Sequence, residues 1–286
     1  MLPDTLYSPL LDAKEAHLRA ILAAMGGVVI GLSGGVDSVL LALVAREVLG
    51  TRALAVTANS PSLPQRELRQ AADLARLAAI NHLVIDTTEV TDSRYAANPT
   101  NRCYFCKSML FTRLRAIADE YGLAWVAYGE NYDDLSDHRP GAQAAAEHGV
   151  RAPLKEASLT KIDIRALAHR YDLPVWDKPA FACLGSRFPY GTPITPEKLA
   201  QVEAAEAVLW AFGLRQFRVR HHGDLARIEV APADMGHLIA HAAELVSQIR
   251  TAAGFHHITL DLAGYRRGSM NEVGDVSIPL APLLMR

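Results

Sequence analysis

A short apolar run, two adjacent glycines flanked by hydroxyls, and then a long apolar helix leave a chain few folds to choose from. Val28-Val29-Ile30 reads as a buried strand, and Gly31-Leu32-Ser33-Gly34-Gly35-Val36-Asp37-Ser38 reads as the turn. Val39 to Ala45 reads as a helix that stops at Gly50. A strand, a glycine turn and a helix start together make an anion site. The glycines let main-chain N–H groups approach a ligand, and the helix N-terminus adds unpaired donors and the positive end of its dipole. Ser33 and Ser38 add hydroxyls. No Lys follows the glycines, so this is not the common P-loop, which sets a Lys on the β- and γ-phosphates. Asp37 beside a phosphate is repulsive unless Mg²⁺ sits between them. The bland alternative, an ordinary βα turn, needs one glycine rather than two with flanking hydroxyls and an acid.

The rest of the chain repeats the strand–helix alternation. Ser8-Pro9 opens a helix with its apolar stripe at Leu10, Leu11, Leu18, Ile21 and Leu22, closed by Gly26-Gly27. Leu54 to Ala58 reads as a second strand, ended by Asn59-Ser60-Pro61 where nucleotide sites form in open parallel sheets. The pattern continues with a helix over 65–80, a strand over 82–86, a helix over 106–121 and a strand over 124–129. Thr160 to Asp163 resembles a capping box opening a helix to Tyr171. The expected class is α/β, a doubly wound, mostly parallel sheet. After Pro189-Tyr190-Gly191 the texture changes to helix (195–212), two alternating strands, helix (233–253) and strand (257–262), a smaller α+β unit. The expected boundary divides 1–185 from 186–286.

The net charge of −2 gives no general nucleic-acid field, and no apolar run approaches a membrane span. The first residues carry no signal-peptide pattern, so the chain is expected to be cytoplasmic. Three cysteines are an odd number, in a compartment expected to be reducing, so no disulfide framework is expected and they need another reason. Cys103 and Cys106 are three apart, within one helical turn. Cys183 lies far along the chain in a Gly- and Pro-rich stretch, 181–191, that reads as an exposed linker. Three readings stand side by side: small buried hydrophobes, a structural zinc completed by His or Asp, and a [4Fe–4S] cluster held by three thiolates with one iron left open. Arg218 and Arg220 alternate along a strand and share a face, and Arg187 comes from the linker. Each guanidinium can grip a phosphate bidentately. Met109 and Trp125 read as core. Asp133, Asp134, Asp137, His138 and Arg139 form a polar loop at a strand end.

The Ser33–Ser38 run resembles the SGGxDS loop of the PP-loop ATP pyrophosphatases. Those enzymes cradle the pyrophosphate of ATP in this loop, split ATP between α- and β-phosphates, and leave an adenylated substrate. The run Ser186-Arg187-Phe188-Pro189-Tyr190-Gly191-Thr192, Arg218-Val219-Arg220, and Asp137 to Gly141 resemble the LarE family of sulfur transferases, over nearly the whole chain. That resemblance implies an adenine nucleotide α-hydrolase fold. It implies that ATP adenylylates a carboxylate of pyridinium biscarboxylate mononucleotide, and that sulfur displaces AMP to leave a thiocarboxylate, in biosynthesis of the nickel-pincer nucleotide that matures lactate racemase. It further implies that Ser33, Gly34, Gly35, Val36, Asp37 and Ser38 hold pyrophosphate and Mg²⁺. Asn59 and Ser60 approach the adenosine, and Gly129 closes the pocket. Ser186, Arg187, Glu206, Arg218 and Arg220 bind the substrate phosphate. Within the family, a single-cysteine form sacrifices its own sulfur, and a three-cysteine form holds a [4Fe–4S] cluster whose open iron carries hydrosulfide. Cys103, Cys106 and Cys183 follow the three-cysteine layout. The sacrificial position counts to Ala182, one residue from Cys183. A sulfide or cysteine-desulfurase sulfur source and a homo-oligomer, with a hexamer as candidate, are implied as well.

Other readings remain at this point. A PP-loop tRNA thiolase predicts a basic surface, which the net charge opposes. A sacrificial thiol at Cys183, an amide-forming synthetase and an ATP-binding sensor without turnover complete the set.

Overall fold

The computed structural model describes residues 8–136, 140–179 and 181–266. These fall into two units, one running to Gly185 with Gly191–Ala200, the other comprising Ser186–Tyr190 and the chain from Gln201.

In the first unit, α1 (Pro9–Met25) starts at Ser8, whose hydroxyl accepts the Leu11 N–H at 3.2 Å. It ends at Gly26, whose left-handed φ of 65° favours glycine. There follow β1 (Val28–Gly31), α2 (Val36–Leu49), β2 (Ala53–Asn59), α3 (Gln65–Leu77), β3 (His82–Asp86), α4 (Ser93–Ala96), α5 (Arg102–Glu120), β4 (Trp125–Tyr128), α6 (Pro140–Glu147), α7 (Pro153–Glu156) and α8 (Lys161–Arg170). The four strands pair in parallel in the order β3-β2-β1-β4. β1 and most of β2 are buried on both faces, which is why β1 reads as a continuous apolar run. Val28 and Ile30 pack with α1, α2 and α8. Val29, with Leu54, Val56 and Val126, packs with Phe111, Leu114 and Ile117 of α5. The expected doubly wound α/β fold is therefore present. Strand order reverses between β1 and β4, so a crevice opens at their carboxyl ends. Thr160 and Asp163 form the expected capping box at the start of α8.

α9 (Pro196–Ala211) begins in the first unit and continues in the second. The second unit adds β5 (Phe217–His222), β6 (Leu225–Val230), α10 (Met235–Ala240), α11 (Ala242–Ala253) and β7 (His257–Leu260). β5 and β6 are antiparallel, and β7 runs parallel to β6. Val219, Ile228, Val230, Ile249 and Phe255 are buried here.

Four expectations change. The helix expected from Cys106 begins at Arg102, so both Cys103 and Cys106 sit in the opening turns of α5. The helix expected over 233–253 breaks at His241, whose N–H bonds back to Leu238 at 3.2 Å while its ring Nδ1 lies 2.9 Å from the His237 carbonyl. A side chain that engages the i−4 carbonyl competes with the helical ladder. The stretch expected as an exposed linker is largely buried: Leu184, Arg187 and Phe188 are almost inaccessible, and the Leu184 N–H donates to the Ser62 carbonyl at 2.9 Å. Met109, expected in the core, lines a cavity instead. The Asp137, His138 and Arg139 portion of the polar loop lies outside the described residues.

Candidate functional site

The glycine loop is wired by its own serines. The Ser33 N–H and hydroxyl both meet the Ser38 hydroxyl at 3.1 Å, and the Ser38 hydroxyl donates to the Gly35 carbonyl at 3.0 Å. Gly34 has φ 73°, and a Cβ there would press on Ala71 at 3.2 Å. Gly35 caps α2 with no side-chain hydrogen bond, so the first-turn amides are left for a ligand. Gly129, just past β4, meets the start of α2 so closely that a Cβ would stand 2.8 Å from the Ser38 amide nitrogen.

These pieces border a cavity of about 210 Å³ at the strand ends, walled by Ser33, Asp37, Ser38, Thr57, Ser60, Glu89, Cys106, Lys107, Met109 and Gly129. Of the residues expected to bind nucleotide, Ser33, Asp37, Ser38, Ser60 and Gly129 line it directly. Gly34, Gly35 and Val36 shape the loop behind. Asn59 is engaged outside the wall, donating to Asp86 at 2.7 Å and accepting from Gln65 at 3.2 Å.

The lysine missing from the loop arrives from elsewhere. The Lys161 ammonium pairs with the Asp37 carboxylate, which also accepts from Asn131 at 3.3 Å. Lys178 donates to the Gly34 carbonyl at 3.2 Å while held by Glu67 and Gln70, each at 2.7 Å. Sequence reasoning missed both. The capping box located the start of α8, but nothing in the sequence places that start beside Asp37.

The three cysteines are reduced. Cys106 stands in the cavity wall, and burial first, then Cys183 and Glu89, push its thiol up to about 12. Crowding raises Cys103 too, with Cys183 adding to the effect and Arg102 easing it. The fold thus brings Cys183 into electrostatic reach of the α5 pair. Among the described residues, no three His, Cys, Asp or Glu side chains are drawn around one point as a metal would require. The donors themselves are three soft thiols, the donor type that a sulfur-rich metal group takes. Glu89, also missed from sequence, is a buried carboxylate receiving hydrogens from Ser60, Ser62 at 2.6 Å and Thr87 at 3.2 Å.

In the second unit Ser186, Arg187, Glu206 and Arg220 form one network, with Arg218 near Arg187. Arg187 is wholly buried and bidentate on Glu206, at 2.7 and 3.1 Å, and donates to the Ser186 hydroxyl at 2.8 Å. Arg220 donates to Glu229 at 2.7 Å and to the Ser186 carbonyl at 2.8 Å. Arg218 donates to the Phe217 carbonyl at 2.6 Å and lies over the Tyr265 ring at 5.0 Å. Burial, and then Arg187 beside it, lower the Arg218 pKa. The Arg187 fork, expected to grip phosphate, is occupied by a carboxylate of the protein itself.

Residues 11–124 match the NAD synthase family. Over 92% of this chain and 95% of its own length, the pyridinium-3,5-bisthiocarboxylic acid mononucleotide synthase of Lactiplantibacillus plantarum is 38% identical. An uncharacterized protein of Synechocystis is 45% identical over 92% of this chain and 99% of its own. The tRNA-specific 2-thiouridylase MnmA of Xanthobacter autotrophicus is 32% identical over 53% of this chain and 49% of its own.

Proposed function

This chain belongs to the PP-loop family that includes the pyridinium-3,5-bisthiocarboxylic acid mononucleotide synthase, and from that premise we propose that it converts a carboxylate of pyridinium biscarboxylate mononucleotide to a thiocarboxylate at the expense of ATP. The observation that carries this reading is the shared cavity: the thiol of Cys106 stands in the same wall system as Ser33, Asp37, Ser38 and Gly129.

The chemistry balances with these groups. A substrate carboxylate oxygen attacks the α-phosphorus of ATP, the bond to the β-phosphate oxygen breaks, and pyrophosphate leaves. The carboxylate is already a nucleophile, so no general base is needed. The loop amides and the Ser33 and Ser38 hydroxyls hold the departing pyrophosphate. Asp37 would hold Mg²⁺, which when bound supplies positive charge to the leaving pyrophosphate, and the Lys161 ammonium would be free to turn from Asp37 to phosphate oxygens. A sulfur nucleophile next adds to the acyl carbon, and the bond to AMP breaks. Ser186, Arg218 and Arg220 orient the substrate phosphate, while Glu206 keeps Arg187 in place. In this reading the division of the chain near residue 185 separates the nucleotide domain from a substrate-binding domain.

Cys103, Cys106 and Cys183 would hold a [4Fe–4S] cluster, which when bound supplies a transferable sulfur. In a second reading, Cys183 surrenders its own sulfur.

The test is anaerobic incubation with ATP, Mg²⁺ and the mononucleotide. The proposal expects pyrophosphate release that requires the mononucleotide, and repeated sulfur incorporation after iron and sulfide loading. Pyrophosphate release that requires tRNA instead would replace it. A single turnover with loss of sulfur from Cys183 would select the second reading.

A further inference from the structure

Lys107 is the one cation among the described residues that line the cavity, and no step of the chemistry yet employs it. It belongs to the wall that α5 presents. Lys107, Leu110 and Phe111 repeat at the i, i+3, i+4 spacing of one helix face, with Cys106 and Met109 on the stripe beside them. The Lys107 stem packs against α6, where an added Cβ at Gly141 would lie 3.2 Å from its Cγ. Its ammonium stands 5.8 Å from the centre of the Phe111 ring.

No acid of the cavity neutralises this charge. Asp37 is taken by Lys161 and Asn131, and Glu89 accepts from Ser60, Ser62 and Thr87. Lys178, the other lysine at the loop, is held by Glu67 and Gln70. Among the described residues Lys107 makes no ion pair. An ammonium in a mostly apolar wall, without a counter-charge, is poised for an anion that arrives with the ligand, and attraction there is several times stronger than in bulk water. Its place decides which anion. Pyrophosphate belongs to the glycine loop at the start of α2. Sulfur joins at Cys106, the residue next to Lys107, and the Lys107 charge is felt at both the Cys103 and Cys106 thiols. Between departing pyrophosphate and incoming sulfur lies the α-phosphate joined to the substrate carboxyl.

We propose that the Lys107 ammonium contacts the non-bridging oxygens of the α-phosphate and is a catalytic residue in both half-reactions. The inference rests on the adenylylation reading and not on how the cysteines carry sulfur. In the first half-reaction the bond from carboxylate oxygen to α-phosphorus forms, the bond to pyrophosphate breaks, and the α-phosphate oxygens face the ammonium throughout. In the second the carbon–sulfur bond forms, the carbon–oxygen bond to phosphate breaks, and its electron pair stays with AMP beside the same ammonium. Lys107 gives up no proton in either step. A fixed cation aimed where charge develops lowers the barrier more than it tightens ground-state binding.

The experiment compares wild type, Lys107→Met and Lys107→Gln in urea unfolding, in ATP binding by calorimetry, and in pyrophosphate release with ATP, Mg²⁺ and the mononucleotide. Lys107→Met should be as resistant to urea as wild type, because no ion pair is lost. It should bind ATP within about threefold of wild type yet release pyrophosphate roughly 10²–10³-fold more slowly at saturating substrate. Lys107→Gln, which keeps a polar end, carries the same expectation should methionine disturb the fold. A kcat within about threefold of wild type in the folded variants would overturn the proposal, as would a loss confined to KM or to ATP affinity. Wild type that releases pyrophosphate only with tRNA would remove the mononucleotide reading, and the same loss of kcat in Lys107→Met with tRNA would still uphold Lys107. Wild type that releases pyrophosphate with neither acceptor would overturn both.

Discussion

Two regions of this chain are proposed here to meet phosphate, and they are built by opposite means. The loop at Ser33–Ser38 relies on main-chain amides, two interlocked hydroxyls and glycines at close approaches, with its cation brought in as Lys161 on Asp37. The network around Arg187, Arg218 and Arg220 relies on buried guanidiniums balanced by buried carboxylates, Glu206 and Glu229. A main-chain site is built by shape and fails when space is filled. A guanidinium site is built by charge balance and fails when a counter-charge is removed.

The contrast is broken most severely at Glu206. Glu206→Leu strands the wholly buried Arg187, and such a loss costs about 3–5 kcal/mol. Urea unfolding should show it, and Arg187→Met added to Glu206→Leu should restore most of the stability. If Glu206→Leu is as stable as wild type, charge balance does not hold this region together. Next is Arg218→Met, which removes a cation already crowded by Arg187. Stability should barely change, while KM for the phosphorylated substrate rises roughly 10–100-fold from one lost charge-assisted contact. An unchanged KM would remove Arg218 from the substrate site.

The shape-built site is broken by Gly129→Ala. Its methyl would stand 2.8 Å from the Ser38 amide nitrogen, against backbone that cannot yield. The expected cost is about 1–3 kcal/mol together with weakened ATP binding, measured by calorimetry. Normal ATP binding would show that β4 and α2 can separate freely.

The smallest effect separates the two regions by pH and salt. His82, 2.8 Å from the Thr57 hydroxyl, is lowered by burial alone. His222 is lowered by burial and then by Arg227 and Arg220. A lowered histidine favours the fold fully above the unfolded value of about 6.5 and loses that contribution as pH falls through the folded value. Stability should therefore decline on acidification below that point. Added salt should shrink the His222 shift and leave the His82 shift in place, as proton NMR titration would show. Equal salt response would mean the arginines are not what lowers His222.

Much of the first region was legible because its information is local. Strand, glycine turn and helix start are contiguous in sequence, and alternation along the chain gave the parallel sheet. The Thr160 capping box was equally readable, since its partners are three residues apart. What escaped was long-range. Lys161, Lys178 and Glu89 carry no periodic or motif signal, and their importance comes only from what the fold sets beside them. The stretch from Phe181 to Gly191 misled for the same reason. Glycine and proline mark irregular backbone, but they do not say whether it is exposed, and here Arg187 and Phe188 carry it inward. The break at His241 came from a side chain competing for a carbonyl, which helical periodicity does not register.

The central claim is that adenylate and transferable sulfur meet in one cavity, between the loop and Cys106. The most direct test follows pyrophosphate and thiocarboxylate separately, the second by mass spectrometry, in Asp37→Ala and Cys106→Ala. The account predicts that Asp37→Ala forms neither product, while Cys106→Ala still releases pyrophosphate with the mononucleotide but forms no thiocarboxylate over repeated turnover. Thiocarboxylate formed by Cys106→Ala at the wild-type rate would contradict it.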